Sequence, residues 1–170
     1  MYRSMLLTLL LLLVAAPAQA QYESDTESID AIITAVYESI SGPAGQERDW
    51  DRFRNMFAPG AQLIPVAVRP DTVAAMYNSV DGYIERANPY FIQNGFFETE
   101  VTRTTEQYGQ ISHTFSTYES RSKADDPEPF ARGINSFQLL HDGNRWWIIN
   151  IFWVDERSAG EPIPEKYLDK

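Results

Sequence analysis

The sequence predicts an α+β domain, with N-terminal helices packed on a mostly antiparallel sheet. Three observations carry this. Apolar residues recur at helical spacing up to about residue 92, and four long segments rich in Thr, Tyr, Phe, Ile and Trp follow from Phe96. Those segments are separated by hairpin-type turns.

The first helix is set by Ile29, Ile32, Ile33, Val36, Tyr37 and Ile40, which share one face, and Gly42-Pro43 stops it. Asp49 is the expected N-cap of a second, shorter helix in which Trp50, Phe53 and Phe57 align, ended by Pro59-Gly60. A short strand over residues 61–66 comes next, and Pro65 and Pro70 bracket a loop. Ser79-Val80-Asp81 opens a third helix through Tyr83, Ile84 and Ala87, which Pro89 should kink or end before Asn94-Gly95. Strands are then expected at 96–107, 110–122, 130–140 and 145–154, with turns at Tyr108-Gly109 and at 141–144, and an acidic loop at 123–129. The tail from residue 158, with Pro162 and Pro164, reads as an extended strap or a frayed end.

Ahead of this domain, one basic residue, Arg3, precedes an apolar run from Met5 to Ala16 and the small-residue site Ala18-Gln19-Ala20. These are the parts of a secretory signal cleaved after Ala20, and the run is shorter than the roughly 20 residues a membrane span needs. The expected organisation is a leader at 1–20, a domain at 21–157 and a tail at 158–170, in a secreted or periplasmic protein. No cysteine occurs, which excludes a lipid-bearing cysteine and disulfides. The net charge of −10 opposes binding to nucleic acid or to anionic membrane surfaces.

The segment Asp49-Trp50-Asp51-Arg52-Phe53 leading to Met56-Phe57-Ala58-Pro59-Gly60-Ala61, and the terminal hairpin from Gly133 to Trp153 with Asp142-Gly143 and Trp146-Trp147-Ile148, resemble the nuclear-transport-factor-2-like (NTF2-like) superfamily. This superfamily includes ketosteroid isomerase, SnoaL-like cyclases and proteins without assigned activity. The resemblance implies a cone: three N-terminal helices on a strongly curved sheet whose concave side closes around a pocket. Isomerases of the family place an acidic base near the first strand, whereas residues 61–66 carry no carboxylate. None of the isomerase's catalytic residues is carried over.

If 141–144 is the last hairpin loop, Leu139 opposes Trp146, Phe137 opposes Ile148 and Asn135 opposes Asn150, all on one face. Asn135 and Asn150 would then aim amide groups into an apolar cup, or bond each other. On the strand from Gln110, the face carrying Ile111, His113, Phe115 and Glu119 has the apolar bulk and is expected inside. His113 becomes the candidate acid or base, with a core histidine as the alternative. Tyr83 and Phe91 are expected to wall the pocket.

No cofactor is expected. The two histidines, His113 and His141, make no metal-ligand spacing, and no Gly-x-Ser-x-Gly elbow occurs. Two functions stay open: a module binding a small, largely apolar molecule as a homodimer through the convex sheet face, or an isomerase, dehydratase or cyclase using His113. The convex face is expected to carry Ile134, Trp147, Ile149, Ile151 and Trp153.

Overall fold

A computed structural model describes residues 18–168, so most of the expected leader lies outside the described residues. Among those residues no helix is long and apolar enough to cross a membrane. A 3-10 stretch, Ala18–Thr26, leads into α1 (Ile29–Ile40), where the Ser28 side chain caps the start by accepting from the Ala31 N–H at 3.0 Å. The apolar face expected of this helix, including Ile32, Ile33, Val36 and Tyr37, is buried. The turn after it is held by Arg48, whose buried guanidinium donates to the carbonyls of Ile40 (2.9 Å), Gly42 (2.6 Å) and Gln46 (2.5 Å).

Helix α2 (Trp50–Asn55) starts at the expected Asp49 cap but is only six residues long. Phe57, expected on its face, already opens β1 (Phe57–Arg69), since the Ile148 N–H donates to the Met56 carbonyl and draws the chain into pairing. Beyond Pro65, β1 folds back as a hairpin with β2 (Thr72–Ala75), where the sequence predicts a loop. Pro65 sits where the strand changes partner, so its missing N–H interrupts neither ladder midway.

After β3 (Asn78–Ser79), α3 runs unbroken from Val80 to Asn94 through Pro89, contrary to the expected stop. Pro89 and Glu85 are both exposed, so the carbonyl left without an intrahelical donor meets water. Strands β4 (Phe97–Tyr108), β5 (Ile111–Arg121), β6 (Ala131–His141) and β7 (Trp146–Asp155) complete the sheet.

The strand order is β2-β1-β7-β6-β5-β4, with β3 on β1, and every pairing is antiparallel except β1 with β7. The sheet is open and curved, with register shifts in β4/β5, β6/β7 and β1/β7. Such bulges bend strands. The core lies between the concave face and the helices, around Phe53, Phe137, Ile148 and α1.

Two faces differ from expectation. In the last hairpin His141 opposes Trp146 and Leu139 opposes Ile148, two residues from the expected register, which preserves the face. A bulge then leaves Ile149 unpaired and sets Gln138 against Asn150 and Asn135 against Trp153. This flips the rest of β7: Ile151 and Trp153 turn inward, away from the convex face, while Phe152 is exposed. On β5 the buried face is Ser112, Thr114, Ser116, Tyr118 and Ser120. Small hydroxyl side chains let α1 approach closely, and Tyr37 reaches Ser116 at 2.6 Å.

The chain closes with α4 (Glu156–Ala159) and a tail laid against the convex face. The Ile163 N–H donates to Glu156, which is paired with Arg132, and Thr117 donates to the Tyr167 carbonyl at 2.6 Å. The tail is therefore a strap, and Phe115 packs on Tyr167 with ring centroids 5.6 Å apart.

Candidate functional site

A cavity of about 270 Å³ lies between the helices and the concave face. Its aromatic wall is ordered by stacking. Phe91 of α3 lies on Phe96 with centroids 4.3 Å apart, Phe130 leans on Phe96 at 6.2 Å, and Tyr83 meets Trp153 edge to face at 6.1 Å. Trp50, stacked behind Phe91, is fixed by donating its indole N–H to Asn88 at 3.0 Å.

The polar floor centres on Glu98, at the start of β4. Its carboxylate accepts from Ser120 at 2.9 Å and from the Asn135 amide at 3.2 Å, and Asp155 lines the same cavity. Burial among aromatic rings pushes the Glu98 carboxyl up to about 7, although its two hydrogen bonds oppose the shift. Burial first, and the Glu98 charge second, raise the Tyr37, Tyr83 and Tyr118 hydroxyls above their ordinary value, so all three stay neutral. Gly133 makes the room for Tyr118: a Cβ there would stand 2.6 Å from the Tyr118 hydroxyl.

A hydrogen-bonded chain runs from this floor to the surface. Asn135 donates to Tyr37 (3.1 Å), Tyr37 contacts Ser116, and Ser116 donates to Glu100. Arg103 bridges Glu100 at 2.6 Å and Asp30 at 3.0 Å. The arrangement can hold a compact apolar guest against a carboxyl able to accept or release a proton near neutral pH.

Of the residues singled out from sequence, Asn135, Tyr83 and Phe91 line this cavity. His113 does not. It is on the convex face, 3.2 Å from Ser136 and edge to face with Phe115, because the hydroxyl-bearing side of β5 is the buried one. Phe115 and Glu119 share that outer side, Glu119 paired with Arg121 at 2.7 Å. Asn150, carried past the bulge, opposes Gln138 rather than Asn135. Sequence reasoning missed Glu98, Tyr118, Trp153 and Asp155. The signal for Glu98 was the alternation of Glu98 and Glu100 facing the hydroxyl series of β5.

By sequence, no protein-family profile and no curated protein matches the chain. Solved structures do. A cystatin-like-fold protein of unknown function from Nostoc punctiforme superposes with a TM-score of 0.57 at 10% identity, over 76% of this chain and 90% of that one. An NTF2-like protein of unknown function from Silicibacter pomeroyi gives 0.52 at 12% identity, over 82% and 99%. Another from Shewanella baltica gives 0.51 at 13% identity, over 83% and 97%. With its helices on a curved, open, mostly antiparallel sheet, the chain has the NTF2-like cone fold.

Proposed function

We propose that this domain binds a small, largely apolar molecule in the cavity, with the polar end of the guest at Glu98. The observation that supports it is a cavity walled by aromatic rings with few polar groups gathered at one place, the usual make-up of a small-molecule site. Native mass spectrometry of the full chain as purified, and after soaking with small aromatic fragments, tests it. Bound adducts are expected, and a protein that stays bare throughout would overturn it.

Glu98 favours a second reading, in which the domain is an enzyme of the isomerase, dehydratase or cyclase type. A carboxyl titrating near 7 inside a pocket is suited to general acid–base work, and here it takes the role that the sequence alone assigns to His113. Turnover lost in Glu98→Gln and kept in His113→Ala would support it.

Export and assembly complete the proposal. The leader would be removed after Ala20, checked by N-terminal sequencing of protein recovered outside a bacterial cytoplasm. Two copies would pair through the part of the convex face that the strap leaves open, where Ile149 is 38% and Phe152 43% exposed.

A further inference from the structure

The cavity lining is one-sided in charge. Glu98 and Asp155 both reach it, and among the described residues no Lys, Arg or His lines it. Arg48 stands near Phe91, its guanidinium carbon 5.8 Å from the ring centroid, but its N–H groups are used on the carbonyls of the turn after α1. Arg132 is tied to Glu156 on the opposite side of the sheet.

Three further features narrow the guest. Tyr83, Phe91, Phe96, Phe130 and Trp153 turn a wall of ring systems toward the space, and ring faces attract positive charge. The Tyr118 side chain lines the cavity, is 5% exposed, and has no hydrogen-bond partner for its hydroxyl among the described residues. The charges of Glu98 and Asp155 both act on that hydroxyl.

Resting on the reading that the cavity binds a small molecule, we propose that its ligand is a small organic cation, an amine or quaternary ammonium carried on an apolar body. The ammonium group lies between Glu98 and Asp155 and against the rings, and the apolar body fills the side toward Ile40 and Leu63. A primary amine has N–H donors for Glu98 and for the open Tyr118 oxygen. A carboxylate guest would meet two like charges in a poorly solvated space with no cation to offset them. A neutral alcohol fits the volume and can exchange ordinary hydrogen bonds with Glu98 and Tyr118, but it brings no charge to offset the two carboxylates.

Calorimetric titration of the full chain with benzylamine, benzyl alcohol and benzoate compares three guests of nearly equal size and different charge. At about pH 8 Glu98 is ionised while a primary amine remains protonated. Benzylamine is expected to bind at least about tenfold more tightly than benzyl alcohol, with benzoate weakest. Glu98→Gln and Asp155→Asn should each reduce that preference several-fold. Each keeps one of the two hydrogen bonds that its carboxylate accepts. The amide oxygen of the first variant can still accept from Ser120 but the contact to the Asn135 amide is lost, and that of the second can still accept from the Ser158 N–H but no longer from the Ser158 hydroxyl. Benzyl alcohol or benzoate binding as tightly as benzylamine would overturn the cation assignment and leave the cavity as a binding site. Failure of all three to bind would overturn both.

Discussion

The Asn135 amide nitrogen stands 3.2 Å from a Glu98 carboxylate oxygen and donates to it, while also donating to the Tyr37 hydroxyl at 3.1 Å. One amide thereby ties the cavity floor to α1. Ser116 uses its one hydrogen on Glu100, so the Tyr37 hydroxyl is the donor to Ser116. Tyr37→Phe removes the middle of this chain and leaves two buried polar groups without it. A loss of about 1–3 kcal/mol in urea unfolding is expected, and an unchanged midpoint would contradict the arrangement.

Glu98 gives the fold a pH dependence of stated sign. Its folded value of about 7 lies above the ordinary 4.5, so the folded protein holds the proton more tightly than the unfolded chain. Its contribution therefore favours folding below about pH 4.5, is lost as pH rises to about 7, and changes little above. Tyr37, Tyr83 and Tyr118 around it stay neutral throughout. The wild type, measured against Glu98→Gln, should lose on the order of 2 kcal/mol across that window, an amount discounted because the carboxyl is partly open to the cavity mouth. A flat difference would show that Glu98 ionises normally.

Arg48 is the buried cation on which the turn after α1 depends. Arg48→Met keeps the volume but strips the donors from the carbonyls of Ile40, Gly42 and Gln46, and should cost about 2–4 kcal/mol. Thermal unfolding checks this, and a shift of less than a degree or two would contradict it.

His113→Ala should leave ligand binding within about twofold of wild type and cost under about 1 kcal/mol, because its ring rests on the convex face against Phe115 and Ser136. Titration with any cavity ligand decides the point. A large loss of affinity would return His113 to the site.

The helices were legible because their periodic apolar faces are long and their caps, Ser79 and Asp49, stand at the expected places. The four strands from β4 to β7 were legible from composition and turns, whereas β1 is longer than expected and β2 stands where a loop was expected. Side-chain direction was not legible. Apolar bulk points to one face of β5 as the inner one, yet the buried face carries Ser116 and Ser120, whose hydroxyls answer Glu100 and Glu98 on the neighbouring strand. Parity along one strand cannot reveal what the next strand brings opposite. Nor could it reveal the two-residue offset of the last hairpin, which moved Asn150 away from Asn135, or the Ile149 bulge, which turned Asn150 outward and Trp153 inward. Tyr83 and Phe91 were found because they lie on α3, whose inner face its periodicity gives, and Asn135 because the extra residue of the bulge is on β7 and leaves the alternation of β6 intact.

Assembly through the open part of the convex face calls for a dimeric mass in sedimentation at micromolar concentration. Ile149→Glu with Phe152→Glu places charge on the two most exposed apolar residues of β7 and should give a monomer that unfolds like the wild type. A monomeric wild type would contradict the proposed pairing.

Whether the cavity is a binding site is tested most directly by filling it. Ala87 of α3 lines the cavity, so Ala87→Trp puts an indole into its space while leaving Glu98 and Asn135 themselves unsubstituted. Fragment binding should be followed by native mass spectrometry on both proteins, with folding of the variant verified by circular dichroism. The expected result is small aromatic adducts on the wild type and none on the variant. Equal adducts on both, or none on the wild type, would contradict it.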